Sequence, residues 1–212
     1  MQEFTRRRGV IVGVAGMLAI IGAGVGIWVI TSDDSARRLK ASETCNEAVF
    51  SNNLKPLERI LTPDSSFKSS WSRSATDDSF KIVCMNSTNR GAVNMHAEIR
   101  NGDQKDWLAE SGAGDSSNVS HFETGTSAAV WGKRAAIYVK CKSHAEGSSH
   151  TAGFEHPYLS IVATASGSAG SKDQNLKQDL AQLANRMFFE AQLQTGCQED
   201  FNPPSEPPRI TG

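Results

Sequence analysis

Three histidines between residues 144 and 156 are the residues whose type and spacing come closest to a chemical site. His144, His150 and His156 alternate with Glu146 and Glu155 in the segment CKSHAEGSSHTAGFEHPY. Imidazole and carboxylate groups suit Zn²⁺ or Cu²⁺, so a metal site is one interpretation. The six-residue spacing matches no known frame of zinc ligands, and the intervening glycines and serines are typical of a solvated loop between two strands. The sequence predicts no other cofactor.

No catalytic motif accompanies these histidines. The sequence contains no G-x-S-x-G elbow and lacks the S-x-x-K, S-D-N and K-T-G set as a whole, so its many serines do not indicate a serine hydrolase. The adjacent carboxylates Asp77 and Asp78 would point apart on a strand, which argues against an acid/base pair. We therefore predict no catalytic residue.

Three tryptophans are candidates for a binding surface. Trp71, Trp107 and Trp131 lie outside the most strongly periodic segments of the chain. If their side chains were exposed together, they would mark an interaction surface. The alternative is that they are buried, because a small polar domain needs its aromatic side chains inside.

The four cysteines predict two disulfides. Cys45, Cys84, Cys141 and Cys197 are even in number and widely separated, with no C-x-x-C pair that would indicate zinc. Three pairings are possible. Two cysteines lie on inward strand faces and two near helix ends, which favours Cys45–Cys84 with Cys141–Cys197. Four reduced, buried cysteines in a cytosolic domain are the alternative.

An uncharged segment near the N-terminus predicts a membrane anchor. Residues 9–30 read GVIVGVAGMLAIIGAGVGIWVI, long enough as a helix to span about 33 Å. A cleaved signal is the alternative, but its apolar stretch would be shorter and would end at small residues. Three arginines at 6–8 abut the segment, which favours a cytoplasmic N-terminus and an extracytoplasmic C-terminal domain at the cell membrane.

Charge and glycine spacing bear on partners. Beyond residue 30 the chain holds 19 basic and 22 acidic residues, a net charge of −3, so no nucleic-acid partner is expected. The membrane, crossed once, is the first partner. The pairs Gly9/Gly13 and Gly22/Gly26 have the spacing that lets helix backbones approach, which favours a homodimer or a protein partner through the anchor.

The periodic segments predict an α+β domain with an antiparallel sheet of about four strands, flanked by N- and C-terminal helices and held by two disulfides. A leucine stripe indicates the C-terminal helix, and Ser42 suits the cap of the first helix. Residues 65–78 are polar and read as a loop. The predicted elements are helix 43–54, strands 80–85, 91–100, 133–142 and 157–165, and helix 172–193.

The chain thus divides into five predicted segments. They are a cytoplasmic N-terminus (1–8), a transmembrane helix (9–30), a juxtamembrane linker (31–42), an extracytoplasmic domain (43–201) and a proline-rich disordered tail (202–212). This organisation, with its arginine triplet, its Gly/Ala/Val-rich span and its four spread cysteines, resembles that of uncharacterised membrane-anchored envelope proteins of actinobacteria. The resemblance implies no activity and no site residue.

These observations predict a non-enzymatic, membrane-anchored binding module of the cell envelope. The tether, the disulfide-stapled domain and the lack of a catalytic motif support it. One alternative is an extracytoplasmic metal-dependent enzyme that uses His144, His150 and His156. Another is a structural subunit of a membrane assembly.

Overall fold

The alternating segments of the chain come together in one antiparallel sheet. The computed structural model describes residues 38–45, 53–113, 118–124, 127–170, 175–197 and 208–211. The strands in chain order are β1 Lys68–Thr76, β2 Ser79–Thr88, β3 Gly91–Asn101, β4 Ser120–Phe122, β5 Ser127–Trp131, β6 Arg134–Lys140, β7 Pro157–Gly167 and β8 Ile210–Thr211. Across the sheet they follow the order β1–β2–β3–β7–β6–β5–β4–β8, with every neighbour antiparallel.

Helices lie on both sides of this sheet. The helices of the described part are α1 Lys55–Leu61, α2 Gln104–Ser111 and α3 Leu176–Thr195, with 3-10 turns at Ala41–Glu43 and His144–Glu146. We call the side covered by α3 the first face and the side that carries α2 the second face. Because neighbouring residues of a strand point to opposite sides, each strand contributes to both faces.

The sheet corrects the fold prediction, which was wrong in expecting about four strands where the structure has eight. The predicted loop at 65–78 contains β1, an edge strand of sequence KSSWSRSAT that is mostly exposed and so carries few apolar residues. Strands β4 and β8 have three and two residues, too few to produce a periodic pattern. These edge and short strands were therefore not predicted, because their hydrophobic pattern is too weak.

Most of the predicted helix at residues 43–54 is not described. In the described part, a 3-10 turn ends at Glu43 and an α-helix begins at Lys55, with Pro56 in its first turn. Proline has no backbone N–H to donate and a fixed φ, so it suits the start of a helix but would interrupt one arriving from upstream. Residues 46–52 lie outside the described part of the chain.

The predicted transmembrane helix at 9–30 lies outside the described residues, as do residues 1–8 and the first part of the linker. Within the ranges that the structure describes, every helix is too short or too polar to cross a membrane.

The main core lies between α3 and the first face. Leu180, Leu183, Met187 and Phe188 of α3 are fully buried against the inward residues of the central strands. The stripe recurs every three or four residues, as a helix with one apolar side requires. Gly196 ends α3 in a left-handed conformation with φ of 62°. The leucine stripe of the sequence therefore covers the sheet.

Both disulfides attach segments to this core, and the predicted pairing is confirmed. Cys45 joins Cys84 on β2, with Cα atoms 5.5 Å apart, and Cys141 joins Cys197 just beyond α3, with Cα atoms 4.1 Å apart. The bridges close loops with sequence separations of 39 and 56 residues. By loop-closure entropy each stabilises the fold by about 4 kcal/mol.

Two segments predicted to be loose are partly docked. The backbone N–H of Leu39, in the predicted linker, donates to Glu58 Oε1 at 2.7 Å, and its side chain is buried. In the predicted disordered tail, β8 pairs with β4, and Gln178 of α3 donates to the Pro208 carbonyl at 2.7 Å. Residues 38–42 and 208–211 therefore belong to the folded domain.

Candidate ligand-binding site

The second face is only partly covered, because α2 packs on a small area of β6 and β7. Trp107 projects from α2 into a second apolar cluster, where its ring lies 5.8 Å from that of Tyr138. Tyr138 in turn lies 5.0 Å from Tyr158. Further along the same face, towards β1 and β2, Met85 is 44% exposed. The edge of α2 therefore borders an exposed part of the sheet.

The ends of α2 are fixed by residues typical of those positions. The Asp103 carboxylate accepts hydrogen bonds from the backbone N–H groups of Lys105 and Asp106 at 2.7 and 2.9 Å. Asp106 in turn accepts from the Asp103 N–H at 3.0 Å, which completes a capping box. Gly112 ends the helix with φ of 77°, a conformation that favours glycine. These caps therefore stabilise the eight-residue helix that carries Trp107.

Strand register decides which polar side chains lie beside α2. On β7, Val162 lies opposite His96 of β3, and Thr164 lies opposite Arg134 of β6. Residues two apart on a strand share a face, so Ser160, Val162 and Thr164 form one row between the two flanking strands. His96 and Arg134, distant in the sequence, therefore lie on either side of the same row.

A cleft of about 230 Å³ lies between α2 and these strands. Its lining combines basic, acidic, hydroxyl and aromatic side chains. The lining residues are His96, Arg100, Trp107, Glu110, Ser111, Arg134, Ser160, Val162 and Thr164.

One wall of the cleft is a closed network of charges. Arg100 donates to both Glu98 and Glu110, and Tyr158 Oη donates to Glu110 Oε2 at 3.1 Å. Burial, followed by the charge of Glu110, raises the pKa of Tyr158 to about 12, so this hydroxyl remains a donor at neutral pH. Burial opposes the charge of Arg100, but its bonds to Glu110 and Glu98 outweigh that effect and raise its pKa. The Arg100 guanidinium is thus bound to two carboxylates.

The opposite wall carries Arg134, whose charge is not neutralised in this way. Its Nη1 donates to the Ser111 carbonyl at the end of α2, at 2.7 Å. Among the described residues no carboxylate lies within ion-pair distance of its guanidinium. A guanidinium has five N–H donors, so one bond to a carbonyl leaves most of its capacity unused.

Trp107 adds a second unused donor. Its side chain is 1% exposed, and its indole Nε1 has no acceptor among the described residues. The amide oxygens of Asn185 and Gln194 on α3 are likewise buried without a donor there, but neither residue lines the cleft. A buried donor without an acceptor costs about 1–3 kcal/mol. An acceptor reaching this N–H through the cleft would recover that free energy.

His96 is the titratable base of the cleft. Burial lowers its pKa, and the positive charges of Arg100, Lys81 and Arg134 act in the same direction, whereas Glu98 opposes them. With a pKa below the ordinary value of about 6.5, the ring is neutral near pH 7. The half-buried imidazole then offers one donor and one acceptor to the cleft.

The predicted histidine cluster does not come together. His144 and His156 are exposed, whereas the His150 ring stacks on Phe80 at 5.4 Å and its Nδ1 lies 2.5 Å from the Thr76 carbonyl oxygen. In the portions of the chain that the structure describes, no group of three or more His, Cys, Asp or Glu side chains could hold a metal. His150 instead connects its loop to the end of β1 and the start of β2 through Thr76 and Phe80.

The predicted tryptophan surface is not formed either. Trp71 on β1 is half-buried against the main core, whereas Trp107 and Trp131 belong to the second cluster. Trp131 is 8% exposed and does not line the cleft. Of the three, only Trp107 belongs to the candidate site, and it does so through a buried indole N–H rather than an exposed ring.

Sequence reasoning missed most of this cleft. The strand at 91–100 was predicted, but nothing in the sequence connects its His96 to Arg134. The sequence DQKDWLAES does contain a helix signal, an Asp with a second acidic residue three positions later. That signal would have placed Trp107 on a helix, although not above the sheet.

Comparison with protein-family models, with curated proteins and with solved structures finds no match to this chain. The resemblance to actinobacterial envelope proteins stays a prediction. What the chain does must therefore be inferred from the chemistry of the cleft.

Proposed function

We propose that this chain is an extracytoplasmic binding module whose ligand is a small polar molecule, or the end of a larger one, held in the cleft between α2 and the second face. The observation that carries this proposal is the buried N–H of Trp107, a residue of the cleft lining, which lacks an acceptor among the described residues. Free energy lost by an unpaired buried donor is recovered when a ligand supplies the acceptor.

The wall formed by Arg100, Glu110 and Tyr158 favours ligand binding over catalysis. Glu110 accepts from both Arg100 and Tyr158, so its carboxylate is fixed and poorly placed to take a proton. Fixed polar groups of this kind orient a ligand without reorganising. The volume of about 230 Å³ is below the range of about 300–1,000 Å³ typical of drug-sized ligands, which favours a small molecule or a terminal group.

The disulfides support a location outside the cytoplasm, because such bonds persist in oxidising compartments. Thiol labelling of intact cells with a membrane-impermeant maleimide tests this location. Labelling that appears only after external reduction is the expected result. Thiols that label only after lysis, and then without reductant, would place the domain in the cytoplasm.

Ligand binding in the cleft is tested by NMR of the indole N–H groups. The ¹⁵N-labelled full chain, in detergent micelles, is screened with a panel of small neutral, cationic and anionic fragments. We expect at least one fragment to shift the Trp107 resonance saturably and to leave the Trp71 resonance in place. If no fragment moves the Trp107 resonance, the proposal is wrong.

A matched pair of variants locates the site. Thr164→Phe fills the cleft from its floor and should abolish the shift. Met85→Phe introduces the same side chain at an exposed position of the same face, two strands away from Thr164 and outside the lining, and should leave the shift unchanged. An equal loss of the Trp107 shift in both variants would show that the ligand binds elsewhere.

A further inference from the structure

We infer that the ligand group taken by this cleft is a carboxylate with a single negative charge, held by the Arg134 guanidinium and the Trp107 N–H. This inference rests on the proposed function and names the class of its ligand. It follows from three observations: the donors left unused, the balance of charge, and the shape of the guanidinium.

The first observation is that the unused hydrogen-bonding groups of the cleft are mainly donors. Trp107 Nε1 has no acceptor among the described residues, and Arg134 spends only Nη1 on the Ser111 carbonyl. The one carboxylate of the lining, Glu110, is already occupied by Arg100 and Tyr158, whereas the His96 ring and the hydroxyl groups can each donate or accept. A ligand that completes this site must therefore bring acceptors.

The second observation is the balance of charge. The carboxylates of Glu98 and Glu110 are balanced by Arg100 and by Lys81, which lies 3.6 Å from Glu98, so Arg134 contributes the one unbalanced positive charge. A monoanion neutralises that charge. A dianion such as phosphate would bring a second negative charge with no cationic partner, beside the carboxylate of Glu110. The charge pattern thus selects a monoanion.

The third observation is the shape of the donor. A guanidinium matches the two oxygens of a carboxylate in a planar, bidentate pair, which lysine cannot reproduce. Arg134 is half-buried, and its bond to Ser111 fixes its position at the end of α2. A partly buried, pre-positioned fork binds a carboxylate more strongly than an exposed one, because water screens it less.

The experiment follows the Trp107 indole N–H of the full chain during titration with acetate and, separately, with acetamide, its neutral analogue of similar shape. Ionic strength is held constant with chloride, and inorganic phosphate at pH 8 serves as the dianion. We expect acetate to shift the resonance downfield saturably, with a Kd at least tenfold lower than that of acetamide or phosphate. Comparable affinity for acetamide would overturn the inference.

Two variants test the role of Arg134. Arg134→Gln should abolish saturable acetate binding, while Lys105→Gln, the same loss of charge at an exposed position of α2 outside the lining, should change the Kd less than twofold. Because Arg134→Gln could also release the end of α2, Arg134→Lys is the second variant. It keeps the charge but loses the fork, and we expect its Kd to rise three- to tenfold. Unchanged acetate binding in Arg134→Lys would show that the fork plays no part.

The outcomes separate the inference from the proposed function. If neutral fragments shift the Trp107 resonance but acetate does not, the carboxylate assignment fails while the binding module stands. If neither class of probe shifts it, both fail. A shift by acetate that never saturates marks an adventitious ion only and overturns the inference.

Discussion

On the first face of the sheet, the 20-residue helix α3 covers the central strands with a continuous apolar stripe, and both disulfides attach to that core. On the second face, the eight-residue helix α2 covers only part of β6 and β7 and leaves polar side chains around a cleft. The same strands supply both surfaces, because alternate residues point to opposite sides.

The two faces also differ in the pairing of the almost fully buried side chains Asp179 and Trp107. Asp179 on α3 is fully buried and is paired with Arg59, whose Nε donates to it at 2.6 Å. Trp107 on α2 is equally buried, but its N–H has no acceptor in the described part of the chain. Pairing Asp179 stabilises the domain itself, whereas an unused donor beside a cleft is available to a ligand. We therefore assign stability to the first face and recognition to the second.

The largest expected effect is the loss of a disulfide from the first face. Replacing Cys141 and Cys197 together by Ala should lower the free energy of unfolding by about 4 kcal/mol, because the unfolded chain gains loop entropy. Denaturant unfolding measures this loss. In the folded variant, the Trp107 indole resonance should keep its position, since the bridge lies on the opposite face. A displaced Trp107 resonance would show that the faces are not independent.

The second-largest expected effect on the free energy of unfolding comes from replacing one leucine in each of the two helices by alanine. Leu180→Ala in α3 should cost about 3 kcal/mol, because the residue is fully buried and leaves a cavity. Leu108→Ala in α2 should cost about 1 kcal/mol, because Leu108 is only half-buried. Urea unfolding of the two variants compares the faces directly. Equal losses would contradict the assignment of stability to the first face.

Removing the unused donor should have a smaller effect. Trp107→Phe loses part of the indole packing, but it also removes a buried N–H that costs about 1–3 kcal/mol unpaired, so the net change in stability should stay within about 1 kcal/mol. Trp131→Phe, in the same cluster, has no such compensation and should destabilise by about 1 kcal/mol more. Thermal and urea unfolding check both. A greater loss in Trp107→Phe would mean that its N–H is already satisfied.

The sequence was informative wherever a pattern is local. Strands β2, β3, β6 and β7 coincide with the four predicted segments. In β2 and β3 buried residues alternate with more exposed ones, whereas β6 and β7 are nearly continuous runs of buried residues. The stripe from Leu180 to Met187 identified α3, and the positions of the cysteines near helix ends and on strands led to the correct pairing. In each case the residues that carry the signal are neighbours along one element.

The cleft could not be predicted in this way, because it depends on long-range register. His96, Arg134 and Thr164 come from three strands, and only the pairing of β3 and β6 with β7 makes them neighbours. Thr164 carries no signal of its own, and Arg134 begins a strand whose other residues are mostly apolar. The histidines at 144–156 drew attention because they are close in sequence, yet their loop and strand positions separate them in space.

The smallest expected effect is a pH dependence that belongs to the second face alone. Because burial lowers the pKa of His96 below its unfolded value of about 6.5, the unfolded chain binds more protons at this site as the pH falls. His96 therefore lowers stability progressively below about pH 6.5, until the folded ring also protonates. His96→Gln should lose less stability than the unmodified chain between pH 7.5 and pH 5.5, as measured by urea unfolding at each pH. His156→Gln, at an exposed histidine, is the control and should behave like the unmodified chain. A parallel loss in all three proteins would mean that Glu98 compensates fully for the burial of His96, and the second face would then carry no proton-linked penalty.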